Sequence, residues 1–352
     1  MSAASSAPAS SFPFVVARGR SGTTLLRAML DAHPELSIPG ESHFVPHFVV
    51  QRSRYERPDG FDTRRFGREL LGRWGWTIRR WSLSDEEILR EIQDPPPSEV
   101  TEVVRRLYAA HARAEGKARY GDKTPSYILH IDLLASAFPE ARFIHLIRDG
   151  RDVARSYLDA DFGSQTLGQA AITWDRYVRA GRAAGARLGP ERYVEVRYED
   201  LVRDPERVLG ELMPFIGLEF DERMLRYHEQ ADQLVGGLSH SAHHRNLYKP
   251  PTPGLRDWRR EFSPRQVAVF EALAGDLLGE LGYERVSGER GFSVAVTAGR
   301  HRAETQIRRA GHGIRVRVRR QRRRIIRSIN QRRTAGDRGT ATIASSSQTP
   351  QT

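Results

Sequence analysis

No cysteine occurs among the 352 residues, which excludes disulfides, thiolate metal sites and a cysteine nucleophile. No stretch approaches the ~20 consecutive apolar residues of a membrane span. Residues 1–12 are small and polar, with neither the basic start nor the apolar centre of an export signal. A soluble, cytoplasmic chain with a flexible N-terminus over 1–12 is therefore expected. Two phosphate-binding signatures are missing as well. A Walker A loop, G-x-x-x-x-G-K-[ST], would need a lysine where Thr23 follows Gly22, and the glycine spacing here is too short. The dinucleotide fingerprint G-x-G-x-x-G is also absent. Triphosphate hydrolysis and dinucleotide binding both fit poorly.

Acidic residues are scarce at one end only. The net charge is +12, yet residues 300–352 alone hold 15 arginines against two acids, Glu304 and Asp337. Residues 1–299 are balanced, with 41 basic and 42 acidic side chains. The basic character thus belongs to a C-terminal tail, 288–352, densest from Arg315 to Arg324. Such a tail is expected to be a solvated, disordered extension, and its charge suits an anionic partner such as acidic lipid, nucleic acid or an acidic protein.

The most informative segment runs from Phe14 to Leu26. Phe14-Val15-Val16-Ala17 reads as a buried strand, Arg18-Gly19-Arg20-Ser21-Gly22 as a tight turn, and the residues beyond as a helix. Leu25, Leu26, Met29 and Leu30 share one face of that helix, which stops near His33-Pro34. Such a turn aims several backbone N–H groups and the positive end of a helix dipole at one spot, which suits a phosphate. Hydroxyls of Ser21, Thr23 and Thr24 and the Arg20 guanidinium complete the cradle. The plain alternative is an ordinary strand-to-helix turn with polar caps.

A second apolar strand, Phe143-Ile144-His145-Leu146-Ile147, ends in Arg148-Asp149-Gly150-Arg151, and Ser156 follows on the next helix. An arginine fork with a hydroxyl is a charge-assisted grip on phosphate, although Arg148 and Arg151 could instead pair with Asp149 and Asp152. A third strand is expected at Tyr193–Tyr198, closing with Glu199-Asp200-Leu201, and helices near Val208–Ile216 and Val267–Leu281. Strands alternating with helices predict an α/β fold: a P-loop-like parallel sheet flanked by helices, with ligands at the carboxyl ends of the strands. Residues 45–120 read as a helical insertion. Ser84-x-x-Glu87 is a capping box, and a further helix from Ser98 carries Val100, Val103, Val104 and Leu107 on one face. Arg73 to Trp81 packs three tryptophans and three arginines into nine residues. It is either a ligand-binding wall or an amphipathic cover over the sheet.

Taken together, these elements resemble a sulfotransferase that uses 3′-phosphoadenosine 5′-phosphosulfate (PAPS). The resemblance rests on Arg20-Ser21-Gly22-Thr23-Thr24-Leu25, on Phe143 to Ser156, and on Trp174, Arg197-Tyr198-Glu199-Asp200-Leu201, Asp204-Pro205-Glu206 and Trp258-Arg259. It spans roughly residues 13–285, in the family's order along the chain, so 13–287 is expected to be the sulfotransferase domain. Within it, Arg20 to Glu41, containing Leu30-Asp31-Ala32-His33-Pro34, looks closest to the tyrosylprotein sulfotransferase branch and its bacterial relatives. The resemblance implies PAPS as sulfuryl donor with no metal. It places Arg20 to Leu25 on the 5′-phosphosulfate, and Arg148 and Ser156 on the 3′-phosphate. Tyr198 is expected to contact adenine or acceptor, and Trp174 to be core.

The same resemblance points to Glu41 as the catalytic base, 21 residues after Arg20. If desolvation raises its pKa, it becomes a more effective base. His43 is the competing base, while His33 reads as a helix-terminal residue. Lys123, in Gly121-Asp122-Lys123-Thr124-Pro125, is implied as the cation on the leaving oxygen. The tyrosylprotein branch adds a serine in a late loop where Asn246 stands here, and Arg245 and Lys249 are alternative phosphate contacts. The acceptor is expected to be a hydroxyl, phenolic, sugar or tyrosine, lined by 45–120 and 230–255. Two other readings stay open: a kinase-like small-molecule transferase, and a nucleic-acid or membrane-surface binder acting through the tail.

Overall fold

The computed structural model describes residues 11–159, 166–230, 245–252, 257–286 and 293–306. The arginine-dense stretch Arg315 to Arg324 and residues 1–10 lie outside these. The first strand begins at Phe12, inside the segment 1–12 expected to be a flexible extension. Within the tail expected to be disordered, residues 293–306 are helical. These belong to a second unit, 291–352, separate from the unit formed by 1–290.

Four parallel strands form the central sheet: β1 (Phe12–Val16), β2 (Asp122–Lys123), β3 (Ala141–Ile147) and β4 (Tyr193–Arg197), in the order β2-β1-β3-β4. The predicted parallel sheet is therefore present, with one boundary moved. Tyr198 leaves the third predicted strand and opens a helix. Both faces of β1 are buried. Phe12, Phe14 and Val16 face one core with Phe143, while Val15 and Ala17 face another with Ile144, Leu146 and Val196. That double burial explains the near-continuous apolar run, as expected for a parallel sheet covered by helices on both sides.

Helices α1 (Thr23–Asp31), α2 (Val45–Val50), α3 (Thr63–Ile78), α4 (Asp85–Gln93), α5 (Val100–Ala114) and α6 (Ile131–Ala137) precede β3. After it come α7 (Gly150–Leu158), α8 (Leu167–Leu188), α9 (Tyr198–Arg203), α10 (Pro205–Phe215), α11 (Trp258–Glu261) and α12 (Pro264–Glu280). The Ser84–Glu87 capping box forms at α4 with both reciprocal bonds, and α2 to α5 lie within residues 45–120 beside three short strands. Among the described residues no helix is long and apolar enough to cross a membrane.

Candidate active site

The carboxyl ends of all four strands open on one cleft of about 460 Å³. Its walls come from the loop after β1 (Arg18 to Leu25), Pro125 and Ser126 after β2, Arg148 after β3, and Tyr198 after β4. This is where an open α/β sheet is expected to hold a ligand.

The loop after β1 is strained and close-packed. Arg20 adopts φ 71°, a left-handed conformation uncommon for a residue with a Cβ. Gly22 has φ 95°, and a Cβ there would run into the Tyr198 ring, so only glycine fits both the turn and the contact. Gly22 caps α1 with no side-chain hydrogen bond. The first helical bonds run from Leu25 N and Leu26 N to Gly22 O, leaving the Thr23 and Thr24 amides unused by the helix. Ser21 departs from the expected cradle. Its buried hydroxyl donates to Arg18 O (2.6 Å), so the side chain braces the turn instead of facing the cleft.

Arg148, expected on the 3′-phosphate, and Arg151 divide their work. Arg151 is fully buried, gripping Asp149 through two nitrogens (3.0 and 2.7 Å) and Glu271 (2.9 Å), with its guanidinium 3.7 Å from the Trp258 ring centroid. It is a structural clamp. Arg148 faces the cleft, 4.3 Å above the Tyr198 ring and 3.6 Å from Asp152, and its Nε has no hydrogen-bond partner. Trp174 is fully buried, as expected, and its indole N–H donates to Arg148 O (3.1 Å). Ser156 accepts from Arg20 Nε (2.9 Å), so the residues expected at opposite ends of the donor are joined directly.

Glu41 lies on the cleft wall, and Lys123, buried beneath it, donates to Glu41 Oε1 (2.7 Å). His43 Nε2 lies 3.1 Å from the other carboxylate oxygen. Burial alone would raise the Glu41 pKa, but the Lys123 charge and the bonds from His43 and Lys123 outweigh it and hold the carboxyl at about 2. Desolvation therefore does not raise the Glu41 pKa here, because a buried cation sits against the group. Burial pushes the Lys123 ammonium down, with Glu41 opposing. His33 is removed from contention, since its ring nitrogens bind Glu219 O and the Glu35 amide.

None of the residues 45–120 lines the cleft, contrary to the expectation that this segment would form the acceptor wall. It supports the wall from behind. Trp74 and Trp81 are buried, with Trp81 Nε1 donating to Gly40 O (3.0 Å), whereas Trp76 is 59% exposed and stacks on His43, itself at φ 57° (centroids 5.7 Å apart). Pro250, Pro251 and Thr252 do line it, but Lys249 does not; the side chains of Arg245 and Asn246 lie outside the described residues. Sequence reasoning missed Arg18, whose guanidinium lies 4.0 Å from the Tyr157 ring centroid and 5.0 Å from that of Tyr177, all three on the cleft wall. The available signal was Gly19: a Cβ there would approach the Tyr157 hydroxyl to 2.6 Å.

The sequence pattern of the Sulfotransferase family matches residues 14–222, more than half of the chain. The chain belongs to the sulfotransferase family. Among relatives of this sulfotransferase, protein-tyrosine sulfotransferase 2 of Gallus gallus is 26% identical over 275 residues, covering 75% of this chain and 67% of the relative. Protein-tyrosine sulfotransferase 1 of Danio rerio is 27% identical over 280 residues, 75% of this chain and 70% of its own. The solved sulfotransferase domain of the Synechococcus PCC 7002 olefin synthase superposes with a TM-score of 0.57 at 28% identity, covering 78% of this chain and 94% of that one. A sulfotransferase domain from the curacin biosynthetic pathway shares the fold at a TM-score of 0.52 and 20% identity, covering 78% of this chain and 99% of that one. The expected family and fold class are both confirmed.

Proposed function

We propose that this sulfotransferase moves the sulfuryl group of PAPS to an acceptor hydroxyl and releases adenosine 3′,5′-bisphosphate. The observation that carries the reading is the pair of arginines on one cleft, Arg20 and Arg148, with the Tyr198 ring touching both Gly22 and Arg148. PAPS bears two separate anionic ends, and the donors fit both. Arg20 with the amides and hydroxyls of Thr23 and Thr24 suits the phosphosulfate, and Arg148 with Ser156 suits the 3′-phosphate. When bound, PAPS supplies an activated sulfuryl group on a bridging oxygen.

The chain's own residues then have defined tasks. Glu41 accepts the acceptor proton, and Lys123 offers positive charge to the leaving oxygen, the arrangement expected of metal-free, in-line transfer. While Lys123 rests on Glu41 the carboxylate is a weak base. Drawing Lys123 toward an anion would release Glu41 and raise its pKa, so the pair couples donor binding to base strength. The relatives' names make tyrosine the first acceptor to try.

The test is transfer from sulfur-labelled PAPS to a tyrosine peptide, simple phenols and sugars. Glu41→Gln is expected to retain bisphosphate binding while turnover drops about a hundredfold or more. Near-normal turnover in that variant would discard Glu41 and favour His43.

A further inference from the structure

Behind the Glu41–Lys123 pair lies a buried polar knot that the transfer chemistry does not touch. Its centre is Asp122, the fully buried first residue of β2. One oxygen, Oδ2, accepts from the hydroxyls of Tyr108 (2.5 Å), Ser42 (2.8 Å) and Thr124 (3.1 Å). Because Ser42 donates to Asp122, it accepts from Tyr127, 2.6 Å away, and Tyr127 in turn accepts from the Val45 amide (3.1 Å). The Ser42 amide donates to Thr124 Oγ1 (3.1 Å), and Thr77 Oγ1 donates to Ser42 O (3.1 Å).

Several members are chain neighbours of the site. Ser42 lies between Glu41 and His43, and Asp122 and Thr124 flank Lys123. The knot therefore ties together two segments 80 residues apart at the place where their next residues must meet. It is costly. A buried carboxylate loses hydration, and Oδ1 has no hydrogen-bond partner. A well-packed apolar group would serve folding as well or better. What an apolar group could not do is fix Ser42 against β2 through directed bonds.

We propose that Asp122 is a positioning residue for the transfer step, holding the Glu41 carboxylate in register with Lys123 through Ser42 and its own strand. This rests on the reading of Glu41 and Lys123 as the transfer pair. Displacement of a reacting group by about 1 Å can cost on the order of a hundredfold in rate, so a loosened pair should show in kcat and not in donor affinity.

The experiment measures kcat with PAPS and the tyrosine peptide, and Kd for adenosine 3′,5′-bisphosphate, in the full chain. Asp122→Ala is expected to lower kcat about tenfold or more with Kd unchanged to within about twofold. Asp122→Asn, whose amide oxygen still accepts from Ser42 and Tyr108, is expected to recover most of that loss. Combined with Glu41→Gln, Asp122→Ala should add no further loss, because it acts through a group already removed. A normal kcat per folded molecule with a lowered Tm, or additive losses in the double variant, would overturn the proposal. Ser42→Ala removes a single hydroxyl and carries the same comparison if Asp122→Ala does not fold. The two readings fail separately: wild-type protein that binds no bisphosphate sinks the transfer reading, whereas the positioning role falls on the variants alone.

Discussion

Lys123 reaches Glu41 across 2.7 Å, and one strand residue away Asp122 is enclosed by hydroxyls. The two carboxyls are driven in opposite directions. Glu41 is held at about 2 because the neighbouring cation and its hydrogen bonds outweigh burial. Asp122 is pushed up to about 6 by burial, which the Tyr108, Ser42 and Thr124 bonds only partly offset and the Glu41 charge reinforces. The sign for stability follows. A folded-state pKa raised above the unfolded value means that ionising Asp122 opposes folding, so this stabilisation is complete below about pH 4 and is lost as pH rises to about 6. The Tm of Asp122→Asn relative to wild type should therefore climb between pH 4 and 7 in thermal melts. A difference that stays flat across that range would show that Asp122 is not ionising there.

The loop joining β1 to α1 does its work through backbone shape. Arg20 at φ 71° and His43 at φ 57° are two of only three non-glycine residues with positive φ among the described residues, and both face the cleft. Strain is thus concentrated on the cleft wall. Gly22→Ala would both force φ 95° on an alanine and drive its Cβ into Tyr198. It should weaken bisphosphate binding at least tenfold and lower Tm by several degrees, measured by titration and melting. Wild-type affinity in that variant would mean that the Gly22–Tyr198 contact is no part of the donor site. Strands, helices and this loop were legible because each carries its cause locally: apolar runs for the doubly covered strands, the Ser84 box for α4, glycine for the turn. The Glu41–Lys123 pairing was not, since its partners lie 82 residues apart and meet only through the knot around Asp122. Nor were the partners that divide Arg148 from Arg151. That division depends on Glu271 and Trp258, contributed by elements much later in the chain.

Seen as a whole, the 1–290 unit gathers four strand ends, three cleft-facing arginines and one acid–cation pair into a single cleft. The +12 charge that first suggests a polyanion partner resides wholly in residues 300–352, while the cleft uses a few arginines placed by the sheet. The relatives' names bear on tyrosine as an acceptor, but the cleft's own chemistry speaks most directly about the donor. The decisive measurement is therefore calorimetric titration of the full chain with adenosine 3′,5′-bisphosphate, without added magnesium, beside Arg148→Ala. Saturable binding at one site, with affinity reduced about tenfold or more by Arg148→Ala, is the predicted result. No binding of the bisphosphate, with ATP and magnesium bound in its place, would contradict it.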